Sequence, residues 1–365
     1  MHGKKIICVY ISDYGYGHAT RQVGLIRELL LRDKKKHLTI LIKASHTYQF
    51  LKDSFSDEHQ VQVFNQANSC GVILDKKLQV DLVKTKQLVH DLLKSFSSRV
   101  LEEKLFLEQN GVNIVVSDIV AEAIAAAKEC EIKSIAVTNF TWYDIYHALY
   151  PDMEQLDVLK QAYSSADLLI ELGFNTALDY FENKISHPYL ARKPRVSKTM
   201  MKKKLGISHQ DFIVYLSLGK ADAGVAIPAQ FFLSKKIKFL VSSNIVSQGS
   251  NIIQIPAGET ESQNYLQLAD VVIGKFGYST FAEALLNGIP ILFFNREGFL
   301  EDEVAEKLLL KLGVGAKSNY QYLFTHNISY LARFKHIEEM RKKVVSSEID
   351  YSNRVIAQEI MHRLV

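Results

Sequence analysis

The chain has 365 residues, 47% hydrophobic and 23% charged, a length that suits two α/β domains better than one core. The net charge of +4 suits an anionic ligand and gives no reason to expect nucleic acid as a partner. The three cysteines, Cys8, Cys70 and Cys130, are too few and too widely spaced for a disulfide framework or a zinc site. No apolar run is long enough for a signal peptide or a membrane span, so we expect a cytoplasmic protein.

The first half of the chain alternates between strand-like and helix-like patterns. The strand-like runs are almost wholly apolar, as expected for strands buried on both faces. They are residues 6–11, 38–42, 61–64, 114–116, 134–137 and 168–172. Apolar residues at helical spacing occupy residues 19–31 and 81–107. This alternation predicts a parallel sheet with helices between its strands.

A break in composition divides the chain. Residues 184–204 carry two prolines and a Lys/Arg cluster without an apolar period, which indicates a domain boundary. We interpret the cluster at 193–204 as a solvated segment, with weak contact to an anionic membrane surface as the alternative. A second series of apolar runs follows, at residues 212–218, 238–241, 252–255, 271–273 and 291–294.

The predicted fold class is α/β, with two doubly wound Rossmann-like domains that face a cleft. The predicted domains are an N-terminal domain at 1–190, a linker at 191–208, a C-terminal domain at 209–350, and a terminal helix at 351–365 that can pack back on the N-terminal domain. Ligands of such sheets bind at the carboxyl ends of the strands, where both informative loops of this chain lie.

The first of these loops is the glycine-rich turn at residues 13–21, which contains Gly17 and His18. A neutral imidazole at the start of a helix can take a proton from a hydroxyl group. Asp118 ends another strand of the same half, and a carboxylate bonded to one imidazole nitrogen fixes the tautomer. The alternatives are an ordinary turn with a capping histidine, and an aspartate that caps the next helix.

The second loop, at residues 271–283, reads as a strand, a glycine turn and a helix start. Free N–H groups at a helix N-terminus suit a diphosphate, and hydroxyl and ammonium groups nearby add donors. The candidate donor-binding residues here are Lys275, Gly277, Tyr278, Ser279, Thr280 and Glu283. Glu283 is expected at an exposed helix start, where it can bind a ribose diol. The alternative is a capped helix with an acid in its favourable first turn.

Two further features belong to the predicted donor site. Gly219 and Lys220 form another turn after a strand, and Glu301 and Asp302 begin a helix, where acids are also favoured by the helix dipole. The sequence has no Asp-x-Asp pair to hold a metal against a diphosphate. We therefore expect no metal site and no cofactor, with charge stabilisation by the helix dipole and lysines.

These residues resemble the GT-B glycosyltransferases, the fold of the UDP-glycosyltransferases and the peptidoglycan N-acetylglucosaminyltransferase. The resemblance also includes the N-terminal region of plant L-arabinokinases. It is carried by Gly-Tyr-Gly-His-Ala-Thr-Arg at 15–21, Val-Ser-Asp at 116–118, Val-Thr-Asn-Phe-Thr-Trp at 137–142, and the block 275–283. The resemblance implies an inverting, metal-independent transfer of a sugar from a UDP-sugar donor substrate to an acceptor that the sequence does not identify.

The resemblance also implies roles for individual residues. His18 matches a catalytic base and Asp118 its partner, while Ser279 and Thr280 match a phosphate-binding loop and Glu283 a ribose-binding acid. Glu301 and Asp302 fall where relatives contact the donor sugar, although those relatives often carry amides there. Two other functions stay open on the same fold: a UDP-sugar 2-epimerase, which needs no acceptor, and a non-catalytic protein that binds a nucleotide sugar.

Overall fold

The computed structural model describes residues 4–68, 71–75, 79–218, 237–243, 245, 249–296, 298–318, 335–347 and 349–364. The chain forms two compact units. Described residues of the ranges 1–191, 297–304 and 351–365 form unit 1, and those of 192–296 and 305–350 form unit 2. Gly219 and Lys220, predicted above as donor-binding residues, lie outside the described residues.

Unit 1 is built on parallel strands joined by helices. Its strands are β1 Lys5–Ile11, β2 Leu38–Lys43, β3 Val61–Phe64, β4 Ile114–Asp118, β5 Lys133–Thr138, β6 Leu168–Glu171 and β7 Lys184–Ser186. Its helices are α1 Tyr16–Arg32, α2 Tyr48–Ser54, α3 Leu82–Gln109, α4 Ala121–Glu129, α5 Trp142–Leu149 and α6 Asp157–Ser164, with a 3₁₀ turn at Glu154–Leu156. The strand order is β3-β2-β1-β4-β5-β6-β7. Successive strands are added toward one edge of the sheet up to β3 and toward the other edge from β4 onward, so a switch point lies between β1 and β4. Ligands bind at such switch points in open α/β sheets.

The C-terminal helix of the chain, α12 (Asn353–Arg363), packs on α1 of unit 1. Asn353 donates its side-chain amide to the backbone oxygen of Ala191 over 2.8 Å. A Cβ atom at Gly24, on α1, would lie 2.7 Å from the same oxygen. The close approach of these backbones therefore requires glycine at position 24.

Unit 2 contains the second parallel sheet. Its strands are β8 Phe212–Ser217, β9 Ile237–Val241, β10 Ile252–Gln254, β11 Val271–Lys275, β12 Ile291–Phe294 and β13 Gly315–Lys317. The strand order is β10-β9-β8-β11-β12-β13. The helices are α7 Lys198–Leu205, α8 Gln263–Leu266, α9 Tyr278–Leu286 and α11 Lys335–Ser346; α10, Leu300–Leu312, begins among residues of unit 1 and continues among those of unit 2. Two parallel sheets with intervening helices confirm the predicted α/β class with two doubly wound domains.

The boundaries of the units differ in detail from those drawn on the sequence. Residues 298–304 group with unit 1, although the sequence places them within the C-terminal range 209–350. The physical reason is that Phe299 is fully buried in the hydrophobic core of unit 1. The predicted linker, 191–208, contains α7, which begins where the side chain of Ser197 accepts a hydrogen bond from the backbone of Met200 and ends at Gly206, whose φ is 63°. Among the helices of the described residues, none is long and apolar enough to cross a membrane.

Candidate functional site

The turn after β1 starts α1 and delivers His18 to the end of the sheet. Gly15 has a φ of 80°, a conformation that glycine adopts without strain, and α1 begins at the next residue. His18 is the third residue of that helix and is 6% exposed. Gly17 accepts a hydrogen bond from the Thr20 hydroxyl at its backbone oxygen, over 2.9 Å. The turn is therefore a fixed part of the helix start.

His18 and Asp118 are in direct contact. Asp118 is the last residue of β4 and lies opposite Ile11, the last residue of β1, in the parallel ladder. The Nδ1 atom of His18 lies 2.8 Å from Oδ1 of Asp118. NH2 of Arg21 lies 3.0 Å from the same Nδ1 atom. The tautomer in which Nδ1 donates to Asp118 leaves the lone pair on Nε2. Nε2 of His18 makes no hydrogen bond with any of the described residues.

Arg21, for which the sequence predicts no role, is a second partner of Asp118. Its Nε and NH2 atoms donate to the two oxygens of Asp118 over 2.7 and 2.5 Å, a bidentate pair. The side chain of Gln22 donates to the same carboxylate over 2.9 Å. Arg21 is 1% exposed and Asp118 is fully buried. Burial alone would raise the pKa of Asp118, but the Arg21 guanidinium and His18 outweigh it and hold that pKa well below its usual range.

The backbone after Asp118 is strained. Ile119 has a φ of 57°, a left-handed conformation that is unfavourable for a β-branched residue. Ser117 closes the turn, because its hydroxyl donates to the backbone oxygen of Val120 over 2.8 Å and accepts from the backbone N–H of Val120 over 3.0 Å. Strain of this kind persists where the surrounding structure holds a residue in place, and here it fixes the direction in which β4 ends.

Asn139 extends the hydrogen-bonded network to the start of α10. Its side-chain oxygen accepts from NH1 of Arg21 over 2.7 Å, and its amide donates to Oε1 of Glu301 over 3.1 Å. Glu301 is 6% exposed and Asp302 is fully buried. Both acids, predicted as donor-binding residues, therefore belong to unit 1 together with His18 and Asp118.

Aromatic side chains surround the network. The ring centroid of Phe140 lies 5.8 Å from that of His18, and Trp142 lies 5.6 Å from Phe140. Tyr14 contacts Trp142 edge-on at 5.1 Å and Phe299 at 6.3 Å. These contacts shield the buried ion pair from water and keep the His18 ring in one orientation.

In unit 2, the end of β11 and the start of α9 form the second candidate site. Gly277 is the residue before α9 and, as a glycine, supplies no side-chain cap. A Cβ atom added at Gly277 would have no neighbour within 4 Å among the residues that the structure describes. Lys275 and Thr280 are half-buried next to this end, whereas Tyr278 and Ser279 are buried. A helix N-terminus with a lysine beside it is suited to an anion.

Glu283 differs from the sequence expectation. It was expected at an exposed helix start, but it is 3% exposed, because α9 buries this face. Its carboxylate is held by Arg192, whose Nε donates to Oε1 over 2.8 Å and whose NH2 donates to Oε2 over 3.4 Å. Arg192 also donates to the backbone oxygen of Thr260 and to the Ser262 hydroxyl. Burial raises the pKa of Glu283, and the charge of Arg192 offsets that rise only in part.

Sequence reasoning missed Arg21 and Arg192 as members of the two sites. Arg21 follows His18 by three residues on α1, so the two side chains share a face of the helix, and this spacing was the available signal. Arg192 lies at the edge of a Lys/Arg cluster, where no local pattern distinguishes a buried arginine from solvated ones. Among the described residues, no group of three or more His, Cys, Asp or Glu side chains is arranged to hold a metal ion.

Comparisons with known proteins place this geometry in context. No protein-family model matches the chain. L-arabinokinase of Arabidopsis thaliana is 25% identical to the chain over 311 residues, which are 83% of this chain and 29% of that protein. The chain thus spans less than a third of the length of the curated relative it matches.

Solved structures show a closer likeness in three dimensions. UGT89C1 of Arabidopsis thaliana, complexed with UDP, has a TM-score of 0.65 at 13% identity and covers 99% of this chain and 100% of that chain; its complex with quercetin matches equally well. The spinosyn rhamnosyltransferase SpnG has a TM-score of 0.67 at 11% identity, covering 97% and 99%. The chain has the GT-B fold. The resemblance predicted from the sequence is therefore confirmed at the level of the fold.

Proposed function

We propose that this chain is a glycosyltransferase that moves a sugar from a nucleotide sugar, a UDP-sugar, to an acceptor hydroxyl. The observation that carries the proposal is the contact of His18 with Asp118 at the switch point of the unit 1 sheet, with Nε2 of His18 unengaged by the described residues. UGT89C1 binds UDP and quercetin on the same fold, which supports a nucleotide donor and a separate acceptor.

The proposed reaction is a single displacement with inversion at the sugar. Nε2 of His18 removes the proton of the acceptor hydroxyl as its oxygen attacks the anomeric carbon. The bond from that carbon to the UDP oxygen breaks on the opposite face, and UDP leaves with the bonding electron pair. In this mechanism Asp118 would keep the imidazole in the Nδ1–H tautomer through its contact with Nδ1. General-base help of this kind contributes about 10²–10⁴-fold in rate.

On the donor side, the proposal assigns the diphosphate to the start of α9. The N–H groups after Gly277, the hydroxyls of Ser279 and Thr280, and Lys275 would stabilise the negative charge of the leaving UDP without a metal ion. Glu283 would accept hydrogen bonds from the ribose. Tyr278, Gly219 and Lys220 complete the proposed nucleotide site, and Gly17, Glu301 and Asp302 are proposed to contact the donor.

The test is single-turnover transfer by wild-type protein and a His18→Ala variant, after an acceptor has been found by screening with UDP-sugars. We expect His18→Ala to bind UDP as wild type does and to transfer at least 10²-fold more slowly, because it lacks the base. Asp118→Asn should show a smaller but large loss, through the tautomer of His18. The control is His209→Ala, which replaces an exposed histidine.

Other outcomes of this test are equally informative. A wild-type rate in His18→Ala removes the catalytic assignment. Conversion of UDP-sugar without an acceptor, followed by NMR, indicates an epimerase, and binding without turnover indicates a sensor. The assay is repeated in EDTA, where we expect an unchanged rate. A rate that falls and is restored by added Mg²⁺ or Mn²⁺ would contradict the metal-free part of the proposal.

A further inference from the structure

A cavity of about 550 Å³ lies in unit 1 among three elements. One wall is α5, another is the segment 175–179 that follows β6, and the third is the first turn of α10. The volume lies in the range of small-molecule sites, about 300–1,000 Å³. None of the residues proposed for catalysis lines it.

The cavity has an apolar side with an aromatic ring. Leu300 and Val304 on α10, Ala148 on α5, and Ala177 form most of it, together with Tyr143. The Tyr143 ring is held by its neighbours, with the ring of Tyr180 edge-on at 5.4 Å. A fixed aromatic ring beside aliphatic groups suits the apolar face of a sugar or an aromatic ring.

The polar side of the cavity presents hydrogen-bond acceptors. Asp144 is held by the hydroxyl of Thr176, which donates to Oδ2 over 2.7 Å, and by that of Tyr180, which donates to Oδ1 over 3.0 Å. Asn175 donates its amide to Oε1 of Glu171 over 2.9 Å. This bond orients the side chain, and the Asn175 oxygen accepts no hydrogen bond from the described residues. Oδ2 of Asp144 also accepts from the backbone N–H and the hydroxyl of Thr141, so the Asn175 oxygen and Oδ1 of Asp144 are the acceptors oriented for donors of a ligand.

The charge of the lining selects among ligands. Among the described residues it contains the carboxylates of Asp144 and Asp179 and the imidazole of His147, and Nζ of Lys160 lies 5.5 Å from the ring centroid of Tyr143. Lys184 pairs with Asp179 over 3.1 Å, but this pair is largely exposed and contributes little. A phosphate or carboxylate group placed on the side of Asp144 and Asp179 would meet like charge.

We infer that this cavity binds a neutral or cationic small molecule that combines an apolar face with several hydroxyl or amino donors. The inference rests on the geometry of the cavity and not on the proposed transferase activity. It has one consequence for the first site. Leu300 and Val304 lie one turn apart at the start of α10 and flank Glu301, which bonds to Asn139. A ligand in the cavity therefore contacts the helix start to which the Arg21–Asp118 network is anchored.

The experiment uses saturation-transfer NMR on the full chain with three matched probes: phenyl glucoside, its 6-amino-6-deoxy analogue, and phenyl glucuronide. They share a ring and hydroxyl groups and differ in charge. Saturating UDP is present throughout, so that the proposed nucleotide site is filled. Ala177→Trp fills the cavity at an exposed position, and Ala257→Trp places the same side chain at an exposed position of unit 2. Thermal melting verifies that both variants fold.

We expect the neutral and cationic probes to receive saturation and the glucuronide to receive none. Ala177→Trp should weaken binding of the two active probes at least tenfold, and Ala257→Trp should leave it unchanged. The inference is overturned by an absence of binding of both active probes, by equal binding of the glucuronide, or by binding that Ala177→Trp leaves intact.

Discussion

Arg21 stabilises unit 1 through a buried charge, and this gives its stability a defined pH dependence. In the wild type the pKa of Asp118 lies below its usual range because of the Arg21 and His18 partners. The ion pair therefore contributes stability above the unfolded pKa of about 3.9, and this contribution is lost as the pH falls through the folded pKa. Removing the guanidinium leaves burial as the main influence, which raises the pKa of Asp118.

We expect Arg21→Gln to lower the free energy of unfolding by about 3–5 kcal/mol at pH 7, because it leaves a buried carboxylate without its cation. The loss should shrink between pH 7 and pH 5, since the variant's Asp118 takes up a proton in the folded state as the pH falls. Urea unfolding at the two pH values measures both effects. Arg363→Gln, which breaks a half-exposed pair with Glu359, is the control and should lose less than about 1 kcal/mol. A loss for Arg21→Gln that does not vary with pH would contradict the assignment of the charge to Asp118.

The burial of Glu283 changes how its proposed role has to be tested. Glu283→Ala would strand the buried guanidinium of Arg192 and destabilise the protein by about 3–5 kcal/mol, so a loss of ligand binding would have two causes. Glu283→Gln keeps the shape and one acceptor oxygen. Arg192 occupies that oxygen, and the ribose loses its acceptor.

We expect Glu283→Gln to weaken UDP binding by about 1–3 kcal/mol, the range for hydrogen bonds to a charged group. Isothermal titration calorimetry measures the affinity, and a thermal melt verifies the fold. Glu303→Gln, an exposed acid in the first turn of α10, serves as the matched control and should bind UDP as wild type does. If Glu283→Gln also binds UDP with unchanged affinity, Glu283 does not contact the nucleotide.

A contact between two residues could be predicted from the sequence where both residues lie at or beyond the ends of neighbouring strands. The adjacency of His18 and Asp118 follows from parallel strands that end at one edge of a sheet. The ion pairs of Arg21 and Arg192 depend on which long side chain reaches which carboxylate, and Glu283 was assumed exposed because acids usually occupy the open face of a first helical turn. Those outcomes are set by packing across long sequence separations, from Arg21 to Asp118 and from Arg192 to Glu283.

The strand–turn–helix element of unit 2 contains two glycines, and the physical reason for glycine differs between the two positions. A Cβ atom at Gly274, within β11, would lie 2.1 Å from the backbone oxygen of Ser217 on β8. At Gly277 the same atom would meet none of the described residues within 4 Å, and the φ of −164° is ordinary extended backbone. Gly274 is therefore required by the sheet, whereas no contact in the described part of the chain requires Gly277.

These reasons predict opposite effects of two alanine substitutions. Gly274→Ala should destabilise the protein by about 1–3 kcal/mol or more through overpacking. Gly277→Ala should change stability by less than about 0.5 kcal/mol but weaken UDP binding by tenfold, about 1.4 kcal/mol, because its methyl group occupies the space proposed for the diphosphate. Urea unfolding and calorimetry on both variants measure the two quantities. Wild-type UDP affinity in Gly277→Ala would place the diphosphate elsewhere.

Whole elements were predicted better than their boundaries. The apolar runs gave the long strands, because strands buried on both faces carry few polar residues. β7 has three residues with half-buried or exposed side chains, so it leaves no apolar run to detect. α7 is marked by Ser197 and Gly206 at its ends, signals that the surrounding lysines concealed. The grouping of residues 298–304 with unit 1 depends on the burial of Phe299, a contact across the sequence that no local pattern encodes.

At the level of the whole chain, the two units should respond differently to the nucleotide. The proposed UDP site lies in unit 2, and a ligand that binds only the folded state stabilises it by about 2.7 kcal/mol at 100 times the dissociation constant. Hydrogen exchange through unfolding of unit 2 should then slow by about 100-fold. We expect UDP to slow exchange in β11 and α9, and to leave β1 and β4 of unit 1 unchanged.

Hydrogen–deuterium exchange followed by mass spectrometry measures this at peptide resolution, with Gly277→Ala at the same UDP concentration as the matched control. In that variant the protection of α9 should fall in proportion to the lost affinity, because protection depends on occupancy of the site. Protection of β1 and β4 without protection of α9 would move the nucleotide to unit 1 and would contradict the proposed diphosphate site. Equal protection in both units would mean that the two units unfold together. Gly277→Ala would then have to reduce the protection from exchange equally in both units.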